Sequence, residues 1–369
     1  MAVGLPICAQ QLSQQVISLD QRYRRAKEAR NYREAERALN KLLAMREVSK
    51  NSEVKQAVLY NRACVSALQG LKSQGLADLR AAVAAGLLNY SLFAHDHDLD
   101  SLRDNREFKL LLKEIKIRSH LNPLSWVRSS QEPPYQLTFD PPEDPRLAEM
   151  RQEFHIDEAI ADAASDYERL VKLTVWVSRQ WAHSNTEMAS STDPRVILRE
   201  GHKGGKFICT DYAIVTAAVA RAYGFYARQV ALLPYDIEKR TSAHQVAEIW
   251  LPQFSKWVLA DGQYGIVGES NGKPLNGVEL QAALASDARV TCLGNSGACD
   301  EWKDFILPNL FYFKIAADQR RFDSTGTSQL VLVPKGAPQP HKVNGGNENV
   351  FAGARYTSDP AVFYQSVIR

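Results

Sequence analysis

The sequence predicts an α+β protein: a run of helical hairpins, followed by a domain in which helices pack on an antiparallel sheet. Three observations carry this expectation. Residues from about 12 to about 115 are dominated by helix formers, with apolar residues at three- and four-residue steps. A proline-rich stretch, LNPLSWVRSSQEPPYQLTFDPPEDPR, then rules out a regular helix. Beyond it, helical patterns give way to short β-branched and aromatic runs at 226–233, 244–251 and 256–261, each bounded by turn residues. Helices first and strands afterwards is the order expected of an α+β domain.

A chain of 369 residues suits about two domains. The expected division is a possible signal-peptide remnant at 1–10, a helical repeat domain at 11–118, a proline-rich linker at 119–148 and a second domain at 149–369 with a β-rich C-terminal extension.

In the first domain, segment 21–45 contains no Gly or Pro, and Ala26, Ala29, Tyr32, Ala35, Leu39 and Leu42 form one apolar stripe. A second unit runs from Val58 to Leu68, breaks at Gly70, and continues from Leu76 to Ala85, with Gly86 as its C′ glycine. A third, shorter piece holds Leu99, Leu102, Phe108, Leu111 and Leu112. The stretch YNRACVSALQG followed by ADLRAAVAAG resembles a tetratricopeptide repeat, and HDHDLDSLRDNREFKLLLKEI resembles the tail that closes such arrays. That resemblance implies a protein partner at the repeats; a plain helical bundle is the alternative. His95 and His97 alternate with Asp96 and Asp98 at an interhelical turn. Short polar residues there cap helices and meet water, so capping is expected in place of metal binding.

In the second domain, 156–181 reads as one helix with Ile160, Leu170, Leu173, Val177 and Trp181 on a buried face. Cys209–Tyr223 reads as another, and PLNGVEL at 274–280 as a turn into a structural helix.

Charge is balanced, 45 Lys+Arg against 42 Asp+Glu, and no basic run interleaves with aromatics. Nucleic acid is therefore not an expected partner. No apolar run approaches the roughly 18 residues of a membrane span. The opening MAVGLPICAQ reads either as the tail of a secretory signal or as an ordinary apolar N-terminus, since a basic n-region is missing. Of the five cysteines, Cys8 would leave with a signal and Cys64 reads as a buried helical side chain. Cys292 and Cys299 flank the turn-forming LGNSGA and are a disulfide candidate. A paired set plus one lone thiol favours a periplasmic or secreted location over the cytoplasm.

That lone thiol, Cys209, carries the chemistry. It follows Gly204 and Gly205 and starts a helix whose Ala213, Ala217 and Ala220 face a core. At a helix N-terminus, unpaired N–H groups and the dipole favour a thiolate and can stabilise an oxyanion. His244 opens a period-2 segment, and Asp261 ends the next strand seventeen positions later. Adjacent antiparallel strands bring such a pair together, giving a thiol, its base and the group that orients the base.

The order of these pieces resembles the transglutaminase-like superfamily. The pieces are Cys209; Gly224 with Arg228; His244, Val246 and Glu248; and Trp257 with Asp261, within about 150–290. The resemblance implies a papain-like Cys–His–Asp triad acting on amide carbonyls of a protein or peptide. It also makes the indole of Trp181 or the amide of Asn185 a candidate oxyanion donor, the alternative being that Trp181 packs under the sheet and Asn185 caps a turn. The sequence departs from the pattern at Gly262, where proline is frequent, and at Gln245, where tryptophan is common. Asp211 and Tyr212 are candidates to line the cleft. Lys203 and Lys206 bring positive charge to the Cys209 loop, where they either act on the thiol or are simply solvated. No spacing implies a metal or organic cofactor. The resulting expectation is a thiol-dependent acyl-transfer enzyme, either a cysteine protease or amidase or a transglutaminase. The alternative is a non-catalytic scaffold that uses the repeats and a recognition domain.

Overall fold

The computed structural model describes residues 12–128, 135–239, 243–322, 328–343, 350–351 and 353–367. The possible signal remnant at 1–10, with Cys8, lies outside them. The chain divides into two units, 1–121 and 122–369.

Unit one is helical. It comprises α1 (Gln14–Glu28), α2 (Tyr32–Ala44), α3 (Arg46–Lys50), α4 (Ser52–Leu68), α5 (Lys72–Ala84), α6 (Tyr90–His95) and α7 (Arg106–Arg118). Consecutive helices pack in pairs, α1 on α2 and α4 on α5. Asparagine starts four of the helices: Asn31, Asn51, Asn89 and Asn105 each accept a backbone N–H that the first turn would otherwise leave unpaired. Where α5 crosses α4, a Cβ added at Gly75 would stand 3.3 Å from the Ala63 carbonyl oxygen, so small residues set the approach. Asp96 caps the turn after α6 by accepting the Asp98 N–H, and the Tyr60 hydroxyl donates to it at 3.0 Å. His97 is 93% exposed and pairs with Asp100. Among the described residues, the one cluster of three metal-ligating types is Cys64, Asp96 and Asp98, which includes neither histidine and in which Lys27 pairs with Asp98. Cys64 is fully buried, and burial pushes its thiol pKa up.

Unit two begins with the proline-rich segment. Its backbone joins later strands and loops: the Val127 N–H donates to the Ser358 carbonyl and the Thr138 N–H to the Ala317 carbonyl. Then follow α8 (Pro145–Glu153), α9 (Asp166–Ser178), β1 (Ala182–His183), α10 (Pro194–His202), β2 (Lys206–Phe207) and α11 (Cys209–Ala222). The sheet is built from β3 (Ala227–Leu233), β4 (His244–Leu251), β5 (Lys256–Asp261), β6 (Ile266–Ser270) and β7 (Lys273–Pro274). After these come α12 (Gly277–Ala285), β8 (Thr291–Gly294), α13 (Cys299–Ile306), β9 (Tyr312–Ala316), β10 (Gln329–Leu332), β11 (Ala354–Thr357) and α14 (Pro360–Phe363). Among the described residues the sheet runs β11-β10-β9-β3-β4-β5-β6-β7, with β8 also on β6. Every pairing in it is antiparallel except β10 with β11. Helices and an antiparallel-rich sheet make this the expected α+β architecture.

The single helix expected over 156–181 is interrupted. A 3₁₀ turn covers Ile156–Ile160, and α9 restarts at Asp166. The Ser165 hydroxyl accepts the Glu168 N–H while the Glu168 carboxylate accepts the Ala164 N–H, so local capping outcompetes a continuous helix.

Opposite α11, the sheet carries a fully buried ion pair. Arg228 and Glu248 face each other across β3 and β4, with Nη2 to Oε2 at 2.7 Å. The guanidinium lies over the Trp257 ring and donates to the Phe363 carbonyl. The second carboxylate oxygen accepts the Gly277 N–H and the Tyr364 hydroxyl, both at 3.0 Å. Arg228→Met strands a buried carboxylate and should cost roughly 3–5 kcal/mol in denaturant titration of unit two. Adding Glu248→Gln should restore most of that loss. A double variant as unstable as the single one would show that guanidinium packing, and not charge pairing, is what matters.

Candidate active site

Cys209 is placed by the chain that precedes it. Gly204 adopts φ +94, and a Cβ on Gly205 would collide with the Phe207 ring at 2.4 Å, so the turn accepts only glycine. β2 then runs parallel to β1, and the Ile208 N–H donates to the Glu187 carbonyl. Cys209 emerges as the first residue of α11, half-buried, with Sγ 3.9 Å from the Ala243 carbonyl oxygen. Lys203 and Lys206 are exposed.

His244 and Asp261 meet through strand register. β4 and β5 pair with Ala247 opposite Ala260, which sets the end of β5 beside the beginning of β4. His244 Nε2 and Asp261 Oδ2 are 2.7 Å apart, and both side chains are fully buried. Nδ1 is the nitrogen left for the thiol. It closes no hydrogen bond of normal geometry, yet Cys209 is near enough to act on the ring. Thiol and imidazole are thus neighbours without full alignment. Burial opposes charge on His244, but Asp261, and then Cys209, outweigh it and the pKa is pushed up to about 10. Asp261 and the thiol thus favour the charged form of the ring against its burial.

Other residues complete the surroundings. The Trp302 indole N–H donates to Asp261 Oδ2 at 2.9 Å, and the Phe305 ring stands edge-on to His244 at 4.9 Å. The sequence reading missed both, because a Trp and a Phe three apart on a short helix look like ordinary core residues. Their helix, α13, begins at Cys299, which is bonded to Cys292 with a Cα separation of 5.6 Å.

Trp181 packs on Tyr212 and Phe207, with ring centroids 4.6 and 5.7 Å apart, and its buried indole N–H has no partner among the described residues. Asn185 lies exposed in the turn after β1, where Ser184 caps Thr186 and Glu187. Asp211 and Tyr212 were expected along the cleft, but both are 2% exposed. They are buried because they are the second and third residues after the thiol on a helix enclosed from Asp211 to Arg221. Tyr212 donates its hydroxyl to the Trp181 carbonyl and braces that indole. Burial pushes Asp211 up to about 6, against backbone N–H groups that include Ala189. His183 is exposed, and partial burial, then the nearby His244, push its pKa down.

A thiol, an imidazole and a buried carboxylate in this order can carry out nucleophilic acyl transfer. Residues 155–262 match a family model described as the transglutaminase-like superfamily. The chain carries a transglutaminase-like domain there. No curated protein and no solved structure matched the chain.

The His244 charge links this site to stability. Its folded pKa lies above the ordinary 6.5, so its contribution is complete below that pH and is lost as pH rises through about 10. Comparing wild type with His244→Gln in denaturant across this window, the wild-type advantage should shrink by up to about 4 kcal/mol. A pH-independent difference would mean that His244 is neutral in the folded protein.

Proposed function

We propose that the protein is a thiol-dependent acyl-transfer enzyme acting on amide bonds of a protein or peptide. The observation that carries this reading is the Cys209–His244–Asp261 arrangement, with the thiol at the start of a buried helix and a carboxylate-held imidazole beside it. Cys209 Sγ attacks the carbonyl carbon, and the His244 Nδ1 proton passes to the departing amine. The oxyanion is met by N–H groups at the start of α11 and by the unpartnered Trp181 indole N–H. Asp261 keeps the Nε2 proton on the ring and fixes its direction through both steps. Water then resolves the acyl-enzyme as a hydrolase, or an amine resolves it as a transglutaminase; the abundance of water favours hydrolysis. The same reading assigns the helical repeats a protein partner; a shallow groove on that unit is lined by Arg33, Glu36, Arg37, Asn40, Gln69 and Leu71.

A thiol-reactive probe at mildly acidic pH tests the chemistry. Cys209 should label far faster than Cys64, and equal sluggishness would move the assignment to a scaffold. Cys209→Ala should abolish labelling at that site and any turnover while changing stability by about 1 kcal/mol or less. Asp261→Asn should lower activity strongly without eliminating it, since it orients the wrong tautomer. Trp181→Phe keeps the ring packing and removes the N–H. It should reduce turnover by roughly 10²-fold with little change in labelling rate, because alkylation forms no oxyanion.

A further inference from the structure

The Asp261 carboxylate has four donors, and one comes from well beyond the matched stretch. Oδ1 accepts the backbone N–H groups of Gln263 at 3.1 Å and Tyr264 at 3.3 Å. Oδ2 is shared by His244 Nε2 at 2.7 Å and Trp302 Nε1 at 2.9 Å. With one oxygen held by backbone and the other between two ring N–H groups, the carboxylate cannot turn. The imidazole it holds is then aimed by Nδ1 toward the thiol.

Trp302 is itself located from two sides. Its ring edge lies against β6, where a Cβ on Gly268 would stand 3.1 Å from Cη2, so glycine makes the seat. α13 spans only eight residues, too few to hold a helix by itself. Its first residue is fastened by the Cys292–Cys299 bond to β8, and Cys292 lies opposite Gly268 across β6 and β8. Strand, disulfide and helix thus close a short circuit around the indole, and Phe305, one turn on, covers His244.

We propose that Trp302 is a positioning residue of this site, acting through Asp261, and that the Cys292–Cys299 disulfide is the fastening that keeps it in place. The inference rests on the acyl-transfer reading. A buried carboxylate stripped of one donor holds its charge less well and its direction loosely. The loss should appear in the pH dependence of the thiol as well as in its rate.

The test follows alkylation of Cys209 by iodoacetamide against pH, in the full chain without reductant, for wild type, Trp302→Phe and the double variant Cys292→Ser/Cys299→Ser. Both variants should lower the rate at mildly acidic pH by roughly tenfold, the scale of one lost hydrogen bond to a charged group. In both, the acid limb of the profile should move toward neutral. The low-field Nε2–H resonance of His244 should shift or broaden in each while the melting curve stays cooperative. Trp302→Phe profiles that superimpose on wild type would overturn the role of Trp302. So would a loss that is uniform in pH and leaves the His244 resonance unmoved, since that is a packing effect. A disulfide variant that behaves as wild type would overturn the fastening. A wild-type Cys209 no faster than an unactivated thiol would instead remove the acyl-transfer reading, and this inference with it.

Discussion

Eleven consecutive residues of α11, Asp211 to Arg221, are buried, and the close approach of that helix to the sheet constrains the rest of unit two. The approach is possible because Ala217 and Ala220 meet Ala227, Ala247 and Ala260 from β3, β4 and β5 with little bulk on either side. Just past β5, at Gly262, an added Cβ would fall 2.1 Å from Thr216 Oγ1 and 3.2 Å from the Tyr212 carbonyl oxygen. A proline, frequent there in the family the sequence resembles, has no room in this chain. The same approach carries the first residue of α11 to the carbonyl that precedes His244, so helix packing and site geometry are set by one spacing.

Once that spacing is set, two buried carboxylates need partners, and the C-terminal elements supply several. Glu248 takes Arg228 from its neighbouring strand, the Gly277 N–H from α12 and the Tyr364 hydroxyl from the chain end. Asp261 takes the Trp302 indole. Burying a charge is costly unless its lone pairs are met. The segments after residue 262 are therefore bound to the matched stretch by polar necessity as well as by apolar contact. Asp140 does similar work from the proline-rich segment, pairing with the buried Arg221 at 2.9 Å.

Much of this arrangement was legible because it follows from local periodicity and spacing. Strong helix formers and glycine breaks at Gly70 and Gly86 outlined α4 and α5. Strand alternation located β4, so the seventeen-residue step from His244 to Asp261 could be read as a two-strand return. The break before α9 was hidden because Ser165 and Glu168 sit inside an otherwise helical pattern, although Ser-x-x-Glu is itself a starting signal. Trp302 was hidden for a different reason: its role depends on a contact 41 positions away that no local period encodes. The resemblance quoted Arg228 and Glu248 separately, but their direct cross-strand pairing requires the register of β3 on β4.

The burial of α11 also bears on how such a domain ages. Only the ends of the helix meet solvent, and the thiol sits on one of those ends. A substitution at position 209 would replace a half-buried thiol at little structural cost, whereas changes further along the helix would fall among fully buried residues. Replacement at that end of α11 is therefore far easier to tolerate than change in the buried turns behind it.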